Sequence, residues 1–160
     1  MTAALTTSQM ACIYNESLDL LQGQGVAQDA KRAFDLNAEA AKAGHADAVL
    51  AMGWFYLNGA GVDRSIEKAK KWYRESARRG EPKAMFSLGQ IAYDERDFAE
   101  ALRWFTRASE AGHARSLYWI GKLYWRGHGV ERDQKRAKRL VHQAATRKVA
   151  EAQRLLRFWT

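Results

Sequence analysis

Residues 52–62 read Met-Gly-Trp-Phe-Tyr-Leu-Asn-Gly-Ala-Gly-Val, and this stretch decides the fold. Its first half has the apolar pattern of a helix, although Gly53 costs a helix about 1 kcal/mol relative to alanine. A glycine in such a place indicates the close approach of another backbone. Gly59 and Gly61 then end the helix and form a turn. The stretch therefore predicts a helix that packs tightly at Gly53 and stops at Gly59.

The same small residues return along the chain at nearly constant spacing. One such set, with spacings of 36, 32 and 36 residues, is Ala33, Ala69, Ala101 and Ala137. The connector Gly-x-Gly-Val occurs three times, at 23–26, 59–62 and 127–130. The segment 93–98 lacks this connector, which shortens the third repeat. Because one helix pair cannot bury its apolar face alone, the repeats are expected to stack on one another.

Each repeat is predicted to be two antiparallel helices, and about nine helices are expected in all. The first-type helices are placed at about 8–22, 46–58, 82–94, 114–126 and 149–159. The second-type helices are placed at about 29–43, 65–79, 97–111 and 132–146. We predict one all-α repeat domain over residues 1–160, with repeats at about 10–45, 46–81, 82–113 and 114–148 and a capping helix at 149–159.

The repeat pattern resembles a known family. Leu/Met-Gly-x-x-Tyr-x-x-Gly-x-Gly-Val, followed by Lys-Ala-x-x-Trp-Tyr-x-x-Ala-Ala-x-x-Gly, is similar to the Sel-one-like repeat (SLR), a relative of the tetratricopeptide repeat (TPR). The resemblance covers about residues 23–156 and is strongest at 46–80 and 114–145. It implies a right-handed α-solenoid, a superhelix of antiparallel helix pairs whose first-type helices line a concave groove. Such proteins are typically adaptors and binding modules in bacterial signalling, secretion and toxin–immunity systems, and in eukaryotic quality control.

The groove positions follow from the register of Gly53 on its helix. Positions three before, one after, four after and five after this glycine are predicted to face a partner. The predicted partner-binding residues are Leu50, Trp54, Leu57, Asn58, Phe86, Gln90, Tyr93, Tyr118, Lys122, Trp125 and Arg126. The same register adds Asp94, and on the first helix Tyr14, Leu18 and Leu21. The face is aromatic with a cationic end, which fits an acidic-aromatic segment of a partner protein. The alternative is that some of these rings only fill space between repeats.

The charge of the chain is uneven. The net charge is +8, yet residues 1–60 hold three basic and six acidic side chains, whereas residues 61–160 hold 23 basic and 12 acidic ones. This asymmetry favours an acidic partner for the C-terminal part, with a solvated basic surface as the alternative. Nucleic-acid binding is the second function considered, through the cluster Lys135, Arg136, Lys138, Arg139, Arg147 and Lys148. It is disfavoured because second-type helices face outward in this architecture.

Residue patterns for catalysis or metal binding are weak. His45 and His113 occupy equivalent repeat positions at helix starts and have no recurring ligand beside them. Ser65 and Lys68 have the Ser-x-x-Lys spacing of penicillin-recognising enzymes, but the companion motifs are missing and Ser65 fits a helix cap. Cys12 has no matching His and Asp arrangement. We therefore predict a non-enzymatic protein without a metal or a cofactor.

The remaining expectations concern location and assembly. No stretch approaches ~20 apolar residues, the N-terminus does not look like a signal peptide, and Cys12 has no cysteine to pair with. These features favour a cytoplasmic protein that is not bound to a membrane, and the family resemblance implies a bacterial one. We predict an adaptor or scaffold, or an inhibitor of the toxin-immunity type. Solenoid ends expose apolar helix faces, so a homodimer through Leu155, Phe158 and Trp159, or through the first helix, is also considered.

Overall fold

A computed structural model describes residues 4–159, and within this range the chain consists of helices without strands. The helices are α1 (Thr7–Gln22), α2 (Ala30–Lys42), α3 (Ala46–Asn58), α4 (Ile66–Arg78), α5 (Pro82–Asp94), α6 (Phe98–Glu110), α7 (Ala114–Arg126), α8 (Gln134–Thr146) and α9 (Ala150–Leu156). They form two compact units, divided between Arg79 and Gly80. The predicted helices agree with the structure to within three residues at each end.

The first unit is held together by alanines and a few large side chains. Ala48 is fully buried, and the side chain of Phe55 is almost fully buried. Small residues let the axes of α2 and α3 approach, and the large ones fill the remaining space. Ser17 takes the register position of Gly53 on α1, and its buried hydroxyl donates a hydrogen bond to the carbonyl of Ala33 at 2.7 Å.

The second unit repeats this plan with larger rings. Phe105 of α6 is fully buried and lies against Phe86 of α5, with ring centroids 5.6 Å apart. A second cluster joins α7, α8 and α9 through Leu117, Val141 and Ala152. Burial of these apolar faces is what stabilises each helix pair.

The helix starts carry side-chain caps. Ser65 accepts a hydrogen bond from the backbone N–H of Lys68 at 3.3 Å, which confirms the predicted cap. Asp29, Asp97 and Asp133 accept equivalent bonds at the starts of α2, α6 and α8. Each cap satisfies an N–H group that has no partner within the helix.

The close approach at Gly53 is made by a ring, and the prediction of a second backbone there is wrong. A Cβ at this position would lie 2.5 Å from the ring of Tyr73 on α4. Gly89 has the same relation to Phe105 on α6, at 2.6 Å, and Gly121 to the side chain of Val141 on α8, at 2.7 Å. In α3, α5 and α7 the glycine therefore leaves room for a side chain of the second helix of the repeat, and at Gly121 the carbonyl oxygen of Ala137 also lies within 3.2 Å of such a Cβ.

The end of the chain differs from the prediction. α9 ends at Leu156, earlier than the predicted residue 159, and the chain then turns. The turn places Trp159 against Trp125 of α7, with stacked rings 4.2 Å apart. Phe158 points away from the unit and is 83% exposed.

Candidate functional site

In the first unit, the predicted binding residues lie around one exposed indole on α3. Trp54 is 43% exposed, and its ring lies edge-on to Phe55 at 5.6 Å. Leu50 and Leu57 are half-buried. The side-chain amide of Asn58 donates to the carbonyl of Trp54 at 2.9 Å, so this group is already engaged by its own helix.

Trp54 lies at the edge of a groove of about 600 Å³ between α1, α3 and the loop after α3. The lining is mostly apolar and consists of Leu18, Leu21, Gln22, Gln28, Ala30, Ala51, Trp54, Phe55 and Ala60. Leu18 and Leu21 were predicted from the register of the first helix, and the structure brings them to Trp54. Tyr14 instead stacks near His45, with ring centroids 4.8 Å apart, and burial raises the pKa of its hydroxyl.

In the second unit, Phe86 does not reach the surface. It is 7% exposed and lies between Phe105 and the ring of His113, whose centroid is 4.4 Å away. Burial lowers the pKa of His113, and Arg115 lowers it further. Gln90 is half-buried and Asp94 is exposed. We leave Phe86 out of the candidate surface because its ring offers no contact area to a partner.

Lys122 on α7 is surrounded by aromatic rings. Its Nζ lies 4.1 Å from the ring centroid of Trp119 and 5.6 Å from the centroids of both Tyr93 and Tyr118. Burial lowers the pKa of the Lys122 ammonium below its ordinary value, and the neighbouring Arg126 lowers it further. Among the described residues, the structure gives Lys122 no ion pair with a carboxylate.

Further cations lie around Tyr118. Burial is the main cause that raises the pKa of the Tyr118 hydroxyl, and Glu151 raises it further, whereas Arg115, Arg126 and Arg154 act in the opposite direction. Arg115 is already paired with Glu151. Arg126 is exposed and donates a long hydrogen bond of 3.4 Å to the hydroxyl of Tyr93. We name Tyr93, Tyr118, Trp119, Lys122 and Arg126 the cation–aromatic cluster.

Sequence reasoning missed Trp119. Its register position, two residues before the glycine of α7, is Ala51 in α3 and Ser87 in α5, so the repeat pattern predicts a small residue. The indole instead lies over the ring of Phe105 at 5.6 Å, and its buried Nε1 has no hydrogen-bond partner within the described structure. A tryptophan at a position that is small in the other repeats was the sequence feature that could have indicated Trp119 as a site residue.

Trp125 was predicted to face a partner, and its ring is partly covered. Trp159 stacks on it with an angle of 21° between the ring planes. The guanidinium of Arg132 donates to the backbone carbonyl of Trp125 at 3.1 Å. The equivalent bond in the first unit joins Arg64 to the carbonyl of Leu57 at 2.9 Å, so this contact belongs to the repeat framework.

The two histidines considered as metal ligands form hydrogen bonds at the starts of their helices. The ring of His45 accepts from the backbone N–H of Ala48 at 3.3 Å at the start of α3, and His113 hydrogen-bonds Ser116 at 3.0 Å. Within residues 4–159, no group of three His, Cys, Asp or Glu side chains is arranged to hold a metal ion. Cys12 is an exposed free thiol.

The basic cluster considered for nucleic acid is solvent-exposed. All six of its side chains are exposed, on α8 and in the turn after it. The guanidinium of Arg136 lies over the ring of Tyr124 at 4.3 Å, and Lys138 donates to the carbonyl of Trp159 at 3.3 Å. In the part of the chain described by the structure, every helix is too short or too polar to cross a bilayer.

Comparison with known proteins identifies four repeat segments. Segments 20–45, 46–81, 82–113 and 114–148 match the Sel1 repeat family. A Sel1 repeat protein of Oxalobacter formigenes has a crystal structure that superposes with a TM-score of 0.87 at 30% identity, over 95% of this chain and 65% of that one. The protective antigen c5321 of uropathogenic Escherichia coli, which has an SLR fold, superposes with a TM-score of 0.82 at 30% identity, over 89% of this chain and 32% of its own.

The chitin synthase regulator SKT5 of Saccharomyces cerevisiae is one of the sequence relatives of this chain. It is 30% identical over 147 residues, which is 86% of this chain but 20% of the regulator. The chain thus spans a fifth of that protein's length. Together with the two structures, these matches confirm the predicted all-α solenoid class. The chain belongs to the Sel1 repeat family.

Proposed function

We propose that the chain is a non-enzymatic protein-binding module that holds a partner on its first-type helices. The observation that carries the proposal is Trp54. Among the described residues the exposed large hydrophobic side chains are Val26, Trp54 and Phe158, and Trp54 is the one that lies within a helix, beside an apolar groove. Exposed tryptophans beside such grooves are common anchors of protein interfaces.

The family supports this proposal. Sel1 repeat proteins mediate protein–protein interactions and are generally non-catalytic scaffolds. The name of the yeast relative, a regulator of chitin synthase, fits a module that acts by holding another protein. We propose that the chain acts as an adaptor or scaffold in the bacterial cytoplasm. An inhibitor of the toxin-immunity type would use the same surface by occluding the partner.

The contacts of Ser65 support a non-enzymatic role. The Ser65 hydroxyl accepts a hydrogen bond from the backbone of Lys68 and caps α4, so the Ser-x-x-Lys spacing has a structural explanation. A nucleophilic serine requires a base within hydrogen-bond reach of its hydroxyl. We expect no hydrolysis of nitrocefin above the rate seen with Ser65→Ala.

The experiment that tests the binding role compares two exposed hydrophobic residues. The full chain, Trp54→Ala and Val26→Ala are used as baits in extracts of the native source, and retained proteins are identified by mass spectrometry. Val26 is the control because it is 48% exposed but lies in the loop after α1. A partner retained by the wild type should be retained by Val26→Ala and lost by Trp54→Ala.

The affinity of the recovered partner is then measured by calorimetry. Loss of a central aromatic anchor costs about 2 kcal/mol, close to thirtyfold in Kd. Equal affinity of Trp54→Ala and the wild type would remove Trp54 from the binding surface. Circular dichroism checks that both variants keep the helical fold.

Nucleic-acid binding through α8 is the second candidate function. The exposed basic side chains of α8 and the turn after it, with Arg136 stacked on Tyr124, are the observation that favours it. Binding through phosphate contacts weakens steeply as salt rises. Tight binding of an oligonucleotide at physiological salt, lost in Lys135→Gln/Arg139→Gln, would favour this function over the first.

A further inference from the structure

We propose that the cation–aromatic cluster of the second unit is a carboxylate-binding site, with Lys122 and Arg126 receiving acidic side chains of a partner polypeptide. This inference rests on the proposed function and names the chemistry of the partner. It extends the predicted preference for an acidic partner to a defined site on one helix.

The first argument is that Lys122 is not required by the repeat. Its position, directly after the glycine of the first-type helix, is Trp54 in α3 and Gln90 in α5. The scaffold therefore accepts an aromatic, an amide or an ammonium group there. A lysine placed among Tyr93, Tyr118 and Trp119 is a property of this repeat alone.

The second argument is that the charge of Lys122 is uncompensated within the described structure. Three aromatic rings partly replace its water, Arg126 of the same sign lies one turn away, and the structure shows no carboxylate paired with the ammonium. Ring faces attract a cation but leave its hydrogen-bond donors free. A carboxylate would satisfy those donors and offset the repulsion from Arg126.

The third argument is the charge around the cluster. Residues 80–160 carry 16 basic and nine acidic side chains. Glu151, the acid whose charge raises the pKa of Tyr118, is already paired with Arg115, while Arg126 and Arg154 are exposed. An approaching acidic segment therefore meets a net positive field, in which the exposed Asp94 is the carboxylate that the register places on the same face.

The choice of a carboxylate over a phosphate polymer follows from the rings. The rings of Tyr93, Tyr118 and Trp119 make the surroundings of Lys122 partly apolar. A partner side chain with an aliphatic stem and a charged tip fits such a setting. The dense group of basic side chains that would suit a phosphate polymer lies elsewhere, on α8.

The test uses the full chain with an isotope-labelled lysine ε-carbon and NMR detection. Hexaglutamate is the probe, hexaglutamine is its neutral match, and hexathymidylate is a phosphate polymer of similar charge. Hexaglutamate should shift the Lys122 resonance and raise the pKa of Lys122, because a carboxylate favours the charged form. Hexaglutamine should shift it far less.

The matched variants are Lys122→Gln and Lys135→Gln. Both remove one positive charge, and glutamine already occupies the equivalent position at Gln90, so the fold should tolerate it. We expect Lys122→Gln to bind hexaglutamate about tenfold more weakly, as for loss of one partner of a partly buried charge pair, and Lys135→Gln to stay within about twofold of the wild type.

Three results would overturn the carboxylate site. They are equal binding by Lys122→Gln and the wild type, equal shifts with hexaglutamine, and tighter binding of hexathymidylate than hexaglutamate at the same salt. These measurements need no natural partner. If the wild-type chain retains no partner protein but still binds hexaglutamate, the proposed function is refuted and the site stands. If it retains a partner but does not bind hexaglutamate, the site is refuted and the function stands.

Discussion

Lys148 occupies a backbone position that glycine holds in the other three repeats. The φ angles of Gly44, Gly80 and Gly112, just after a second-type helix, are 98°, 89° and 95°, and that of Lys148 is 63°. A side chain in this left-handed region costs about 1–2 kcal/mol. At this position the last repeat therefore contains a local strain that the other three avoid, although Arg96 in the third repeat has a similar φ of 65° elsewhere.

Replacing Lys148 with glycine should stabilise the protein. The gain is expected to be about 0.5–1 kcal/mol, because relief of the backbone strain is partly offset by the greater entropy of glycine in the unfolded chain. Urea denaturation monitored by circular dichroism measures it. Lys148→Ala is the control, since alanine keeps the strain, and an equal gain in this variant would contradict the explanation.

At the scale of the residue, the sequence predicts which residue makes a tight contact better than it predicts the group that the residue touches. The register of Gly53 correctly indicates a tight contact, but the contacting group is the ring of Tyr73, because the sequence does not show which atoms of the neighbouring helix arrive there. The same register assigns Phe86 to the surface, whereas the ring of His113 covers it. The partner-binding role of the other register positions stays a prediction.

At the scale of the element, the Gly-x-Gly-Val connectors pack on an earlier helix. A Cβ at Gly61 would lie 2.0 Å from the carbonyl oxygen of Ala30 at the start of α2, and one at Gly129 would lie 2.6 Å from the carbonyl carbon of Phe98 at the start of α6. Gly25, in the first connector, has no atom within 4 Å of such a Cβ. The second glycine is thus a contact point only where a preceding repeat lies beneath it.

This difference predicts unequal costs for the same substitution. Gly25→Ala should lose about 0.5–1 kcal/mol, because its φ of 72° is unfavourable for alanine and the lower entropy of alanine in the unfolded chain offsets part of that cost. Gly61→Ala has a similar φ of 67° and adds the clash with Ala30, so it should lose about 1–3 kcal/mol more. Urea unfolding of both variants measures the difference, and equal losses would show that the contact contributes nothing.

Helices and caps could be predicted because each depends on a short stretch of chain. The repeat spacing predicts the short connection after α5, which the structure reduces to residues 95–97. The turn after Leu156 could not be predicted, because it depends on the stacking of Trp159 on Trp125, a contact between residues distant in the sequence.

At the scale of the whole molecule, the chain combines opposite charges with an exposed apolar end. Residues 1–60 are net acidic and residues 61–160 are strongly basic. Phe158 is 83% exposed, whereas Leu155 is half-buried. Both features favour association between copies, in which the basic part of one chain meets the acidic part of another.

We therefore predict self-association that depends on Phe158 and on salt. Light scattering after size exclusion should show a dimer or larger species at low salt and high protein concentration, and a monomer for Phe158→Ser. Val26→Ser is the control because it removes another exposed apolar side chain, 48% exposed, from a loop of the first unit. A monomer under all conditions would contradict the prediction.

The connector contacts also bear on how the chain reaches its fold. Gly61 reaches back to Ala30 and Gly129 to Phe98, so each contact spans one repeat of sequence and no more. A chain built from contacts of such limited reach has a low contact order, which favours rapid folding. Repeats joined by such contacts can therefore fold on one another as the ribosome releases the chain.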